Sequence, residues 1–141
     1  MKVIFYKGRK RLFDRAVADW TRGKYSHCEA VVAEFPDGSV TCWSASFMDK
    51  GIRPKTMILN PDNWDTLEIE ADVTQVQAWF ASRNGTAYDW WGLMGFIFRP
   101  IKGSDVKQFC SGALAASVGL PEPWRFDPNT LHAVFSKGVS P

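Results

Sequence analysis

Tyr25-Ser26-His27-Cys28-Glu29-Ala30-Val31-Val32-Ala33-Glu34-Phe35-Pro36-Asp37-Gly38-Ser39-Val40-Thr41-Cys42-Trp43-Ser44-Ala45-Ser46 decides how this chain folds. A valine-rich strand runs from His27 to Phe35. Pro36-Asp37-Gly38-Ser39 is a hairpin turn signal, and Val40 to Ser46 returns as the second strand. Side chains alternate between the faces of a strand. His27 and Glu29 therefore share one face of the outgoing strand and Cys28 points to the other. On the return strand, Cys42, Ser44 and Ser46 share a face, and Thr41, Trp43 and Ala45 lie opposite.

Outward from this hairpin, Val3 to Tyr6 reads as a short strand. Phe13, Val17 and Trp20 give helical spacing over Asp14 to Trp20, and Thr21-Arg22-Gly23-Lys24 ends it. Asp49-Lys50-Gly51 is another turn, followed by Ile52-Arg53-Pro54-Lys55. Trp64 to Ile69 is a third main strand. Thr74 to Ser82 is a helix with Val73, Val76, Gln77 and Phe80 in phase, closed by Asn84-Gly85. A second helix starts near Tyr88-Asp89, a third carries Cys110, and Asp127-Pro128-Asn129-Thr130-Leu131 has the form of a capped final turn. Strands come first and helices follow as a block, which predicts an α+β domain with an antiparallel sheet packed against helices. One domain over residues 1–141 fits the length.

Composition narrows the function. A net charge of +2 offers no electrostatic case for nucleic acid. The run Lys7-Gly8-Arg9-Lys10-Arg11 is short and reads as a solvated helix start. The three cysteines cannot all pair internally, so a reducing compartment is expected. Neither Cys-x-x-Cys nor His-x-x-x-His spacing occurs, so neither metal nor cofactor is expected. The apolar run in Met1-Lys2-Val3-Ile4-Phe5-Tyr6-Lys7 is too short for a signal peptide, and that from Trp90 to Phe98 too short to span a bilayer. Trp90-Trp91 is the tryptophan pair expected to border a site.

Chemistry concentrates at Lys107-Gln108-Phe109-Cys110-Ser111-Gly112-Ala113-Leu114, where a polar stretch turns into a small-residue helix. A thiolate is favoured at the positive end of a helix and beside an imidazolium. His27, one of two histidines, stands at a strand start and is the candidate partner. Such pairs meet in the fold rather than in the chain. Two readings of Cys110 stay open on spacing alone. It lies on an apolar stripe with Val106, Phe109, Ala113, Leu114 and Ser117, as a packed core thiol would. A helix capped by Ser104 would also leave it past the first turn, whereas a start near Gln108 would give it the dipole. Cys28 and Cys42 read as core, and His132 as structural.

The order of these pieces resembles the circularly permuted branch of the NlpC-type papain-like cysteine hydrolases, found in bacteria and phages. The residues that carry the likeness are Ser26-His27 before a valine-rich strand, Asp37-Gly38, Tyr88-Asp89-Trp90-Trp91-Gly92, and Phe109-Cys110-Ser111-Gly112. Trp43-Ser44-Ala45-Ser46 and Gly51-Ile52-Arg53 look most like small phage-encoded members. The resemblance covers roughly Lys24 to Leu131. It implies a papain-like fold, with Cys110 as nucleophile, His27 as base and Ser44 as the third residue. Glu29 is the alternative orienter, and Tyr88 and Ser46 are candidates for orienting or substrate contact. The implied substrates are amides, such as cell-wall peptides, and then lipid acyl or ester bonds. The implied location is the host cytoplasm or the virion. The alternative is a non-catalytic phage accessory or binding protein of the same fold. Gly112 favours that alternative, since the family commonly has Glu there. So does Ser44, where bacterial members often have an acid.

Overall fold

Antiparallel pairing of strands from the first half of the chain builds the platform on which the site is laid out. The computed structural model describes residues 1–46, 48–86 and 109–138. In chain order the elements are β1 (Lys2–Tyr6), α1 (Leu12–Trp20), β2 (His27–Glu34), β3 (Ser39–Ser46), β4 (Gly51–Ile58), β5 (Trp64–Glu68), α2 (Val73–Ala81), α3 (Cys110–Ser117), a 3₁₀ turn (Pro123–Arg125) and α4 (Pro128–Ser136). The fold is α+β. Its sheet has five strands in the order β4-β3-β2-β1-β5, with every neighbouring pair antiparallel.

The β2–β3 hairpin closes as its turn residues require. Asp37 Oδ1 accepts from the Ser39 N–H at 2.9 Å, and Gly38 takes φ +80°, where a side chain would be strained. The register runs from Ala30↔Trp43 to Glu34↔Val40, with a shift between Val31 and Ala33. β4 is the element that sequence reading left without a state. Pro54 and a starting glycine argue against a strand, but β4 is at the sheet edge, where a missing N–H costs no ladder bond.

Register fixes two faces. Val3, Phe5, Cys28, Ala30, Trp43, Ala45 and Ile52 pack with residues of α2, α3 and α4 in the main core. Phe5, Phe80, Ile52, Leu114 and Leu131 are at most 1% exposed there. Each contributes about 2 kcal/mol of apolar burial. Ile4, Val31, Val40 and Cys42 form a smaller cluster on the other face. That face carries His27, Glu29 and Arg53, and its cleft is walled on the far side by α1.

Asn129 ties α4 to the segment that enters β2. Its Oδ1 accepts from the Tyr25 N–H at 2.8 Å, while its Nδ2 donates to the Tyr25 carbonyl at 2.9 Å and Thr21 Oγ1 at 2.8 Å. Gly23 leaves room for it: a Cβ there would lie 2.1 Å from the Asn129 amide carbon. The capped final turn foreseen at Asp127 is a full helix, α4, with Asp127 accepting from the Asn129 and Thr130 N–H groups. No helix among the described residues is long and apolar enough to cross a membrane.

Candidate active site

Helix α3 begins at Cys110, with Phe109 as an extended N-cap that offers no side-chain cap bond. The first intrahelical N–H bond is Ala113 to the Phe109 carbonyl, at 2.8 Å. Cys110 thus sits in the first turn, at the positive end of the helix. Ser104 and Gln108 lie outside the described residues; with Phe109 extended and the helix starting at Cys110, the dipole argument applies to this thiol.

Cys110 belongs to the main core yet lines the cleft, so it stands where the two faces of the sheet meet at the start of β2. Its thiol is held well below its usual range. The largest cause is the Cys28 S–H, which donates to the sulfur; burial opposes; the charge and hydrogen bond of His27 and the Cys28 backbone N–H add to the lowering. The β2–β3 ladder starts only at Ala30, so the Cys28 N–H lies beyond it and is available to the sulfur. Cys28 itself is pushed up, by burial first and then by its bond to the Cys110 sulfur. It is core, as expected, but it also touches the Cys110 sulfur, which strand alternation alone did not reveal.

His27 completes the pair. Burial acts to lower its pKa, but the Cys110 thiolate and Glu29 outweigh it and raise the value to about 10. Both shifts run toward the charged form of the pair, thiolate and imidazolium. His27 Nε2 lies 3.0 Å from Glu29 Oε1 and 3.4 Å from Ser44 Oγ. That leaves Nδ1 for the thiol. The expectation that Ser44 rather than Glu29 faces the far nitrogen is corrected: both face it, and the carboxylate is closer. The reason is the shared strand face at i and i+2, which brings Glu29 under the ring.

Glu29 is 2% exposed, far from a solvated strand carboxylate. Burial would push its pKa up, but the His27 bond and charge and the Arg53 charge hold it below the ordinary range. Arg53 is the residue that sequence reading missed. Its Nη2 donates to Glu29 Oε1 at 3.2 Å, its Nη1 to Ser44 Oγ at 3.2 Å, and its Nε to Asp49 Oδ2 at 2.5 Å. The signal was present. Pairing a strand back through the Asp49-Lys50-Gly51 turn places Arg53 opposite Ser44, as the register shows.

The cleft encloses about 720 Å³, within the range of small-ligand sites. Tyr6, Val17, Trp20, Met48, Met57 and Trp64 give it apolar wall, with Trp20 and Met48 more than half exposed. Ser46 lines it and accepts from the Asp49 N–H at 3.3 Å. Tyr88, Trp90 and Trp91 lie outside the described residues. Cys42 is buried in the smaller cluster, where burial pushes its thiol up. His132 lies away from the cleft, against Phe5, Tyr25 and Ser136. Gly112 has a packing reason: a Cβ there would meet the Phe109 ring at 3.3 Å and the Pro123 carbonyl at 3.5 Å. No group of three or more metal-binding side chains occurs among the described residues. No protein-family model, curated protein or solved structure matches this chain.

Proposed function

We propose that this chain is a cysteine hydrolase acting on amide or ester bonds through an acyl-enzyme. The observation that carries the reading is the buried pairing of Cys110 with His27, each shifted toward its charged form, with a buried carboxylate, Glu29, on the far nitrogen. The motif order that resembles the permuted NlpC-type papain-like family supports it from the sequence side.

In this reading Cys110 Sγ attacks the substrate carbonyl carbon and forms the S–C bond. The oxyanion is met by the first-turn N–H groups of α3, that of Cys110 foremost. His27 gives its Nδ1 proton to the leaving nitrogen or oxygen as the tetrahedral adduct collapses to a thioester. Neutral His27 then takes a proton from water, whose oxygen attacks the thioester. Cys110 leaves as thiolate, and the imidazolium is restored. Glu29 holds the ring and favours its charged form, and Arg53 keeps Glu29 ionised and in place.

Amides of peptides, cell-wall peptides among them, are the first substrate class, and acyl esters the second. A small phage-encoded protein of cytoplasmic or virion location agrees with the resemblance. The binding-protein alternative leaned on Gly112 and on the missing acid of β3. Gly112 packs against Phe109, and Glu29 supplies the acid from β2, so both supports weaken. The test is a neutral thiol alkylator followed by peptide mapping, beside a panel of fluorogenic amides and esters. Fast modification of Cys110 near neutral pH, ahead of Cys28 and Cys42, and turnover of at least one substrate are expected. Slow labelling with no turnover returns the weight to the binding protein.

A further inference from the structure

Two of the three free cysteines meet, although β2 and α3 stand far apart in the chain. The Cys110 sulfur accepts from both the S–H and the backbone N–H of Cys28, so one residue meets it at two points and the two sulfurs face each other. Both residues belong to the main core. Their access differs. Cys110 lines the cleft and is 6% exposed, while Cys28 is 0% exposed and is not part of the cleft wall. Cys42, the remaining thiol, lies in the smaller cluster with Ile4, Val31 and Val40, and its S–H donates to Glu29. No step of acyl transfer uses a second thiol. An alanine or valine would also fill the core position of Cys28, without setting one sulfur against another.

We infer that Cys28 is a resolving cysteine for Cys110: a hydroperoxide entering the cleft oxidises Cys110, and Cys28 then closes a reversible disulfide with it. Cys110, as thiolate, attacks the terminal oxygen of the peroxide. The S–O bond forms and the O–O bond breaks. The other oxygen leaves as an alcohol, or as water from hydrogen peroxide, with the proton of the His27 imidazolium. Cys110 gives up two electrons, and the peroxide takes them. The Cys28 sulfur next attacks the sulfenic sulfur. The S–S bond forms, the S–O bond breaks, and the hydroxyl leaves as water with the Cys28 thiol proton. Burial is the first cause that keeps Cys28 protonated, and the charge of Cys110 is among the others; oxidation removes that charge. A dithiol reductant restores both thiols by exchange and leaves as its own disulfide. The disulfide spares Cys110 from sulfinic acid, which thiols do not reverse. This inference goes beyond the hydrolase reading and does not depend on it, since it needs contact between two thiols rather than turnover.

The test treats the whole chain with hydrogen peroxide, quenches with catalase, then denatures and alkylates. Of the three thiols only Cys42 should remain alkylatable, and the mass should fall by two hydrogens. Peptide mapping without reductant should join the Cys28 peptide to the Cys110 peptide within one chain. Dithiothreitol should restore alkylation of both. In Cys28→Ala the same dose should carry Cys110 on to sulfinic acid, and dithiothreitol should recover about tenfold less alkylatable Cys110 than in wild type. Cys42→Ala should still form the bond. The mapping needs no variant, so the inference stays testable if Cys28→Ala does not fold. Cys110 left unmodified, sulfinic acid at wild-type Cys110 with Cys28 still free, or a bond from Cys110 to Cys42 or to a second chain each overturns it. Failure of the hydrolase reading has a different signature: no turnover, with the bond between Cys28 and Cys110 still formed.

Discussion

The two histidines of this chain are both held by hydrogen bonds, yet they sit in opposite electrostatic surroundings. Around His27 stand the Cys110 sulfur and Glu29, whose carboxylate also binds Arg53, and the imidazole is raised to about 10. His132 Nε2 meets the Tyr25 hydroxyl at 3.1 Å, and that hydroxyl donates to Asp65 at 2.7 Å. Asp65 is already claimed by Lys7 and Lys24, each at 2.6 Å. Burial is the largest cause of the lowered pKa of His132; Asp65 pulls it up, and Lys24 pushes it down again. The difference teaches that a carboxylate near an imidazole does not by itself make a base. What counts is whether its charge is already spent. One network raises its imidazole beside a thiol, and the other locks α4 to the sheet.

The most forceful way to break this contrast is to delete one member of each region. Cys110→Ala and His27→Ala should each abolish rapid alkylation and lower turnover of any substrate found by about 10³-fold or more, because the pair acts as a unit. His132→Gln should leave both within a few-fold of wild type. Cys110→Ala should cost only about 1 kcal/mol of stability, since one sulfur leaves a small void. Turnover retained in Cys110→Ala, or lost in His132→Gln with the fold intact by circular dichroism, would reverse the assignment of the two regions.

A sharper test moves the charge without removing the ring. Glu29→Gln takes away an anion that favours imidazolium, so the His27 titration followed by NMR should fall below its value of about 10. The alkaline limb of the pH–rate profile, where the imidazolium proton is lost, should move to lower pH with it. Ser44→Ala should move both less, since a hydroxyl carries no charge. An equal or larger effect of Ser44→Ala would restore the serine as the main orienter.

These tests bear on residues of very different legibility. The β2–β3 hairpin could be read directly, because valine-rich alternation and a Pro-Asp-Gly-Ser turn leave one pairing and put His27 and Glu29 on one face. The start of α3 was open between two caps, since nothing local in Ser104 or Gln108 decides where a helix stops being packed. Arg53 escaped because strand propensity is set by position in the sheet, and Pro54 is harmless at an edge. The contact of Cys28 with Cys110 escaped for a topological reason. Alternation places Cys28 away from His27, but the thiol of α3 approaches from the helix side of the sheet.

Asn129 links the two regions, and its loss should affect stability more than chemistry. It holds both backbone groups of buried Tyr25, two residues before His27, and stands three residues before His132. Asn129→Ala leaves the Tyr25 N–H and carbonyl without these partners, which costs about 1–3 kcal/mol. A lower denaturation midpoint with Cys110 labelling changed only a few-fold is the expected result. Labelling lost in proportion to stability would mean that the His27 network depends on the lock beneath it.

The smallest effect tests the charge account of His132 directly. Lys24 is 58% exposed, so its bond to Asp65 is screened, and Lys24→Met should cost under about 1 kcal/mol. Its electrostatic effect should still be visible. Lys24 lowers the His132 pKa, so removing it should raise that pKa, by freeing part of the Asp65 charge as well. The sign for stability follows. A histidine whose folded pKa lies below its unfolded value, about 6.5, binds its proton less well when folded. Its contribution is fully present above that value, and stability is lost as pH falls through it. Lys24→Met narrows the gap between the folded and unfolded values, so urea denaturation between about pH 7 and 5 should show a shallower decline than in wild type. An unchanged decline, with an unchanged His132 titration, would mean that burial alone sets this ring and that Asp65 is irrelevant to it.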